Sequence, residues 1–171
     1  FYPLAYYCAY YSIRANAFDY EKMAMGRERL EYYINDYKAK KADGTISNVE
    51  DDELKDMRIV QEMYARGFEF VPIDIYKAKA RSFQIIDGKI MPSFKVISKV
   101  GESAGESIEI AARDGEFLSK DDLRQRAKIG QTVIEKLGEL GLLDGMAESN
   151  QLSLFDVISV SYTHLTPPTI R

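Results

Sequence analysis

Two stretches in the second half of the chain decide the fold. The first is Ile97-Ser98-Lys99-Val100-Gly101-Glu102-Ser103-Ala104-Gly105-Glu106-Ser107-Ile108, and the second is Leu123-Arg124-Gln125-Arg126-Ala127-Lys128-Ile129-Gly130-Gln131-Thr132-Val133-Ile134. Each predicts a short helix, a turn that contains glycine and a second helix. A helix that begins after such a turn offers free backbone amides and its positive end to a phosphate oxygen. Contacts of that kind bind a nucleic acid backbone and read no bases.

Both stretches have the outline of a helix-hairpin-helix unit. In the first, Lys99 stands where the usual first hairpin glycine is expected, and Gly105 replaces a small alanine. In the second, a local basic run lies beside Gly130 and agrees with phosphate binding. The candidate DNA-binding residues are Lys99, Gly101, Arg124, Arg126, Lys128 and Gly130.

The net charge of this region counts against DNA binding. It leaves open the alternative that both units are ordinary helical corners without a binding role. Between Phe94 and Met146 there are eight Lys or Arg and ten Asp or Glu, a formal charge of -2. The whole chain carries -4. Any contact with DNA must therefore be local, since no general basic field attracts the phosphates.

A third pattern, Gln151-Leu152-Ser153-Leu154-Phe155, lies in a polar stretch near the end of the chain. A buried strand would account for its apolar residues, but no neighbouring strand pattern follows. A linear docking peptide fits better, because Gln151 can fix the register in a polar pocket while Leu154 and Phe155 fill an apolar one. The candidate partner-binding residues are Gln151, Leu152, Ser153, Leu154 and Phe155.

The rest of the pattern predicts a mainly α fold with a small β hairpin. Helices are expected from Pro3 to about Ala15, from Asp19 to Asp43-Gly44, and from the capping box Ser47-Asn48-Val49-Glu50 to Gly67. Strands are expected at 68–71, at 73–76 and around the Asp87-Gly88 turn. The tyrosines of 6–11 are expected in the core rather than as a platform for stacking bases.

Composition excludes several classes of protein. The 171 residues include a single cysteine, Cys8, and a single histidine, His164, so neither a disulfide framework nor a structural zinc site is expected. The sequence has no signal peptide and no apolar run that could span a membrane, which favours a cytoplasmic location. It begins inside an apolar run without a methionine, so we expect it to be part of a longer protein.

The pentapeptide at 151–155 is identical to one form of the bacterial β sliding-clamp binding motif. Its position after two helix-hairpin-helix units resembles the C-terminus of PolC-type DNA polymerase III α subunits. Other segments agree with this resemblance: Pro3-Leu4-Ala5-Tyr6-Tyr7, Ile13-Arg14-Ala15, Arg66-Gly67-Phe68, Ile85-Ile86-Asp87-Gly88, Gly115-Glu116-Phe117-Leu118-Ser119-Lys120 and Leu143-Asp144-Gly145.

The resemblance implies four parts: the end of a helical fingers domain (1–67), a duplex-binding domain (68–146), a clamp-binding tail (147–157) and a last part (158–171) that the family does not explain. It implies duplex DNA and the β clamp as partners. Magnesium would belong to the parent polymerase, bound by palm carboxylates that precede Phe1, so this chain alone is expected to be inactive.

Residues from Ser159 onward look like the translated end of a transposon used to prepare sequencing libraries. We therefore expect 158–171 to be non-native and His164 to belong to no natural site. Two alternatives remain open. One is a stand-alone, non-enzymatic helix-hairpin-helix adaptor that binds DNA and the clamp, and the other is a helical interaction module without a DNA role.

Overall fold

A computed structural model describes residues 2–149, which form seven α-helices, one 3-10 helix and one antiparallel pair of strands. None of the helices in this range is long and apolar enough to cross a membrane. The α-helices are α1 (Pro3–Ile13), α2 (Tyr20–Met23), α3 (Arg27–Asp43), α4 (Asn48–Ala65), α5 (Gly101–Ala112), α6 (Lys120–Ala127) and α7 (Gln131–Glu139). The strands are β1 (Gln84–Ile86) and β2 (Lys89–Met91), and the 3-10 helix is Phe94–Val96.

Helix α1 begins at Pro3, whose fixed φ and missing N–H suit a first turn. It buries Tyr7 and Tyr11, which are 1% and 0% exposed. The ring of Tyr11 packs 5.6 Å from the rings of both Phe70 and Phe83, measured between centroids. The prediction that the tyrosine cluster belongs to the core is therefore confirmed for these two residues.

The helix predicted from Asp19 to Asp43 is in fact two helices, so that prediction was wrong in its continuity. Asp19 does cap α2, since its carboxylate accepts a hydrogen bond from the Lys22 amide at 3.0 Å. The chain then leaves the helix and re-enters at Gly26, whose φ of 105° favours glycine. The period of the apolar residues continued across this break and concealed it.

The capping box at the start of α4 is present as predicted. The Ser47 hydroxyl accepts from the Glu50 amide, and the Glu50 carboxylate accepts from the Ser47 amide, both at 3.1 Å. Glu50 also accepts from the Lys40 ammonium at 2.7 Å, and these hydrogen bonds lower the pKa of Glu50 to about 2. This pairing joins α4 to the end of α3, against which α4 packs.

The Asp87-Gly88 hairpin is confirmed, with Ile85 opposite Ile90 and positive φ at both turn residues. The strands predicted at 68–71 and 73–76 were wrong. Phe70 forms only an isolated parallel bridge with Ile90, and residues 73–76 form a loop. Pro72 offers no N–H for a ladder, and the Asp74 carboxylate accepts from the Tyr76 amide at 2.8 Å and so closes a turn.

A single core crosses the position between residues 67 and 68 where the sequence suggested a domain boundary. Tyr11 of α1 and Phe83 before β1 belong to the same cluster of buried residues as Ile108 of α5 and Leu137 of α7. A hydrogen bond of 2.8 Å from the Phe83 amide to the Ser12 hydroxyl adds a polar link. The helices that carry the two hairpins therefore share their packing with the N-terminal helices.

Candidate nucleic-acid interface

The second unit consists of α6, a turn at 128–130 and α7. Ser119 caps α6 by accepting from the Asp122 amide at 3.0 Å. The helix ends at Ala127 and is followed by Lys128, which has φ 54° and ψ 46°, and extended Gly130 then precedes α7. Between them the side chain of Ile129 is buried, which fixes the turn on the core.

The surface of this second hairpin suits an anion. Arg124, Lys128 and Gly130 are exposed, and neither basic side chain makes an ion pair within residues 2–149. No side chain caps the first amides of α7, and its first turn contains no acidic residue. The start of α7 and two exposed cations without ion pairs in this range therefore lie within residues 124–131, and backbone amides and positive charges both favour a phosphate.

The first hairpin has the same outline with different surroundings. Lys99 has φ 70° and is exposed, Val100 is buried, and exposed Gly101 has φ 73°. No side chain caps α5, but Glu102 lies in its first turn. Glu102 forms an ion pair with Arg81, so a carboxylate already occupies the region next to the helix start.

The sequence predicted that the second unit has the outline of the first, but the fixed spacing that relates the two was missed. At a fixed offset of 29 residues, Lys99-Val100-Gly101 corresponds to Lys128-Ile129-Gly130. The same offset relates buried Phe94 to Leu123 and buried Ile108 to Leu137. Both lysines are left-handed, a conformation in which a side chain costs roughly 1–2 kcal/mol. Lys128 therefore replaces a hairpin glycine just as Lys99 does.

Gly105 shows why the first unit needs a very small residue in α5. A Cβ at this position would lie 2.7 Å from Cβ of Phe94 and 3.4 Å from Cα of Ala80. Phe94 itself is fully buried. An alanine, the residue usual in this unit, has no room here because α5 approaches the 3-10 helix so closely.

Arg126 differs from the other candidate residues. Its guanidinium donates to the carbonyl oxygens of Ala111, Gly115 and Glu116 at 2.8, 3.1 and 2.9 Å. It also pairs with Asp122 at 3.4 Å. The structure therefore places Arg126 against the corner between α5 and α6, whereas Arg124 projects from α6 without such partners in the described part of the chain.

The predicted docking peptide, Gln151 to Phe155, lies outside the described residues, as do 158–171 and His164. The chain just before it is fixed at the start of α6. The amides of Lys120 and Asp121 donate to the carbonyls of Ala147 and Glu148 at 2.8 and 3.1 Å, and the Lys120 ammonium binds the Glu148 carboxylate at 2.8 Å. Among residues 2–149, no three His, Cys, Asp or Glu side chains are grouped so that they could hold a metal ion.

Comparison with known proteins agrees with this geometry. Three curated relatives are named "DNA polymerase III PolC-type": those of Streptococcus suis (44% identity), Streptococcus pyogenes serotype M2 (43%) and Streptococcus pneumoniae serotype 2 (42%). Each alignment covers 154 residues, which is 90% of this chain and 10% of the relative. The chain thus spans about a tenth of the length of these relatives.

A family model described as "Helix-hairpin-helix motif" matches residues 67–152. This range includes both hairpins, both left-handed lysines and all six candidate DNA-binding residues. With the repeated geometry and the match in agreement, the chain belongs to the helix-hairpin-helix family.

Proposed function

We propose that this chain is part of a PolC-type replicative DNA polymerase, in which it grips duplex DNA by its phosphates and attaches the enzyme to the β sliding clamp. The observation that carries the DNA role is the second hairpin, where α7 starts without a side-chain cap and Arg124 and Lys128 are exposed without an ion pair in the described part of the chain. Such a site binds any sequence, because amides and cations recognise the backbone alone.

The relatives support a polymerase rather than a stand-alone adaptor. The aligned stretch of 154 residues is longer than the part of the chain from residue 67 onward, so it includes residues of the N-terminal helices. An adaptor built only from the hairpins and a clamp peptide would need no likeness there. The exposed hairpin residues also favour a DNA role over a purely helical interaction module.

Catalysis belongs, in this proposal, to parts of the parent enzyme that this chain does not contain. A polymerase of this kind uses metal ions to activate the attacking hydroxyl and stabilise the leaving group. We expect magnesium to act there and this chain alone to add no nucleotides. A primer-extension assay with magnesium checks this, and incorporation above the level of a no-protein control would contradict it.

Charge reversal tests the DNA role. Arg124→Glu with Lys128→Glu should weaken binding to a short duplex at least tenfold, because two phosphate contacts become repulsive. Fluorescence anisotropy at low salt measures the affinity. The matched control is Lys38→Glu with Arg58→Glu, which makes the same charge change on exposed residues of α3 and α4. Equal losses in the two variants would mean that only net charge matters, and no loss in either would reject the site.

The clamp role rests on the identity of 151–155 to a known clamp-binding motif. Phe155→Ala and Leu154→Ala in the full chain should each weaken binding to purified β clamp by about thirtyfold, the equivalent of ~2 kcal/mol for a buried anchor. Gln151→Ala should also weaken it, since polar groups in the clamp would lose a partner. Ser153→Ala is the control and should bind nearly as the parent does. Calorimetry showing no saturable binding, or equal binding of Phe155→Ala, would reject this role.

A further inference from the structure

We propose that Arg126 is a positioning residue that holds the two hairpins in a fixed relation, and that it is not a phosphate ligand, contrary to what the sequence suggested. The inference rests on the proposed DNA-binding function and adds how the two hairpins act together. It follows from the partners of one side chain and from where those partners lie.

The guanidinium of Arg126 satisfies the backbone where α5 ends. Ala111 belongs to the last turn of α5, and Gly115 and Glu116 form the corner that follows. The Ala111 carbonyl also accepts a 3.2 Å bond from the Asp114 amide, and hydrogen bonds donated by a cation further stabilise the carbonyls at such a helix end. The planar fork of arginine reaches all three oxygens, which a lysine ammonium cannot do with the same geometry.

The same side chain contacts an aromatic ring that leads to another part of the fold. The central carbon of the guanidinium lies 4.5 Å from the centre of the Phe117 ring. That ring stacks on Tyr76 at 5.6 Å, and the Phe117 amide donates to the Tyr76 hydroxyl at 3.2 Å. Arg126 is thus joined to the loop before the β hairpin as well as to α5.

These contacts make a phosphate role costly. The Arg126 side chain is only 25% exposed. Turning it toward a phosphate would break its bonds to three carbonyls, of which that of Ala111 would keep the 3.2 Å bond from the Asp114 amide. Backbone groups near a core that lose hydrogen bonds are unfavourable. Arg124 is two residues away, exposed and without an ion pair or side-chain hydrogen bond among residues 2–149, so it can turn toward DNA without breaking such a contact.

The position of Arg126 between the two hairpins explains why its hydrogen bonds matter for DNA binding. Helix α5 begins at the first hairpin, and α6 ends at the second, one residue after Arg126. Arg126 therefore joins the far end of the helix that leaves one hairpin to the helix that enters the other. Two contacts on one ligand add their strength fully only when their separation matches the ligand, so fixing this relation should raise the affinity for a duplex.

The experiment compares Arg126→Gln with Arg124→Gln, which remove the same charge from the same helix. Affinity for a short duplex is measured by anisotropy over a range of salt concentrations, at a temperature where circular dichroism shows both variants folded. Arg124→Gln should reduce the slope of log affinity against log salt by about 0.9, the value for one lost phosphate contact. Arg126→Gln should leave the slope unchanged, weaken binding several-fold at every salt concentration and lower Tm by several degrees.

Arg126→Lys is the second variant and keeps the charge. Lysine lacks the planar guanidinium that binds three carbonyls. If Arg126 is a positioning residue, the affinity and Tm of Arg126→Lys should therefore resemble those of Arg126→Gln, whereas a phosphate ligand should retain most of its affinity for DNA. The proposal is overturned if Arg126→Gln lowers the salt slope like Arg124→Gln, if Arg126→Lys restores the affinity, or if Arg126→Gln changes neither affinity nor Tm. If the parent chain itself binds no duplex, the proposed function fails. In that case the Tm values of Arg126→Gln and Arg124→Gln still decide whether Arg126 stabilises the corner between α5 and α6. Equal Tm values would show that it does not, and would overturn the positioning role as well.

Discussion

The two hairpins share one pattern of residues and differ in what surrounds it. At 99–101 the turn follows a 3-10 helix, and Glu102 at the start of α5 pairs with Arg81. At 128–130 the turn follows a full helix, and the start of α7 has no acidic residue and no side-chain cap. The two lysines share the left-handed conformation, but Gly101 is left-handed and Gly130 is extended. The comparison teaches that the same triplet of residue types can join different backbones, and that nearby charges decide how strongly each site attracts an anion.

The two units differ most in how tightly their second helix is packed. Gly105→Ala tests this difference and should have the largest effect on stability. The added methyl group meets Phe94 at 2.7 Å, so overpacking should destabilise the fold by about 1–3 kcal/mol. Urea unfolding followed by circular dichroism measures the change. Gly138→Ala in α7 is the control, because nothing lies within 4 Å of its new Cβ and alanine favours a helix by roughly 0.8–1 kcal/mol. Equal behaviour of the two variants would show that the close approach of α5 is not rigid.

The next largest difference between the two hairpins should be in how much each contributes to the affinity for duplex DNA. Lys128→Ala should weaken duplex binding about fivefold, or ~1 kcal/mol, since the second site combines this cation with an open helix end. Lys99→Ala should cost at most about twofold, because Glu102 already opposes a phosphate there. Anisotropy titrations of both variants in one buffer give the ratio. A larger loss for Lys99→Ala would reverse the comparison.

Backbone strain offers a test that separates stability from binding at the same residue. Lys128→Gly should be more stable than Lys128→Ala by about 0.5–1 kcal/mol, because glycine accepts the φ of 54° without a Cβ penalty. Both variants should bind DNA equally weakly, since both lack the ammonium group. Chemical denaturation and anisotropy on the same samples check the two halves. If the glycine variant recovers the parent affinity, the amides of the turn bind the phosphate and the side chain does not.

The smallest effect concerns the carboxylate at the first hairpin. Glu102→Gln should strengthen duplex binding about twofold, because it removes a negative charge from the first turn of α5. Arg81 keeps an ion pair with Glu106, so the loop should hold its place. Glu28→Gln in α3 controls for the change in net charge. Equal gains in the two variants would mean that the first hairpin takes no part in binding.

The elements marked by strong local chemistry could be predicted from the sequence. Asp19, the Ser47 capping box and the Asp87-Gly88 turn each act within a few residues, so local pattern was enough to find them. The break at Gly26 was missed because the apolar period continues across it. The strands at 68–76 were wrong because alternation alone does not supply a partner strand, and Pro72 removes one donor.

In the candidate site, too, local features could be predicted from the sequence and long-range contacts could not. Sequence identified the exposed Gly130, Arg124 and Lys128 of the second hairpin, since their spacing is local. It could not show that Arg126 reaches back to Ala111, Gly115 and Glu116, because that depends on how α6 packs against the end of α5. A comparison of the chain with itself at an offset of 29 residues would have shown Lys128 as the counterpart of Lys99.

The bonds between the start of α6 and residues 147–148 set the length of a tether. Gln151 is three residues beyond Glu148, so extended bond geometry limits their separation to about 10 Å. A clamp bound at Gln151 would therefore lie close to α6. A force exerted by the clamp would be transmitted through Glu148 and Lys120 to the helix that ends at the second hairpin. Because this connection is short, tension from a bound clamp would act on the helix that leads to the proposed phosphate site.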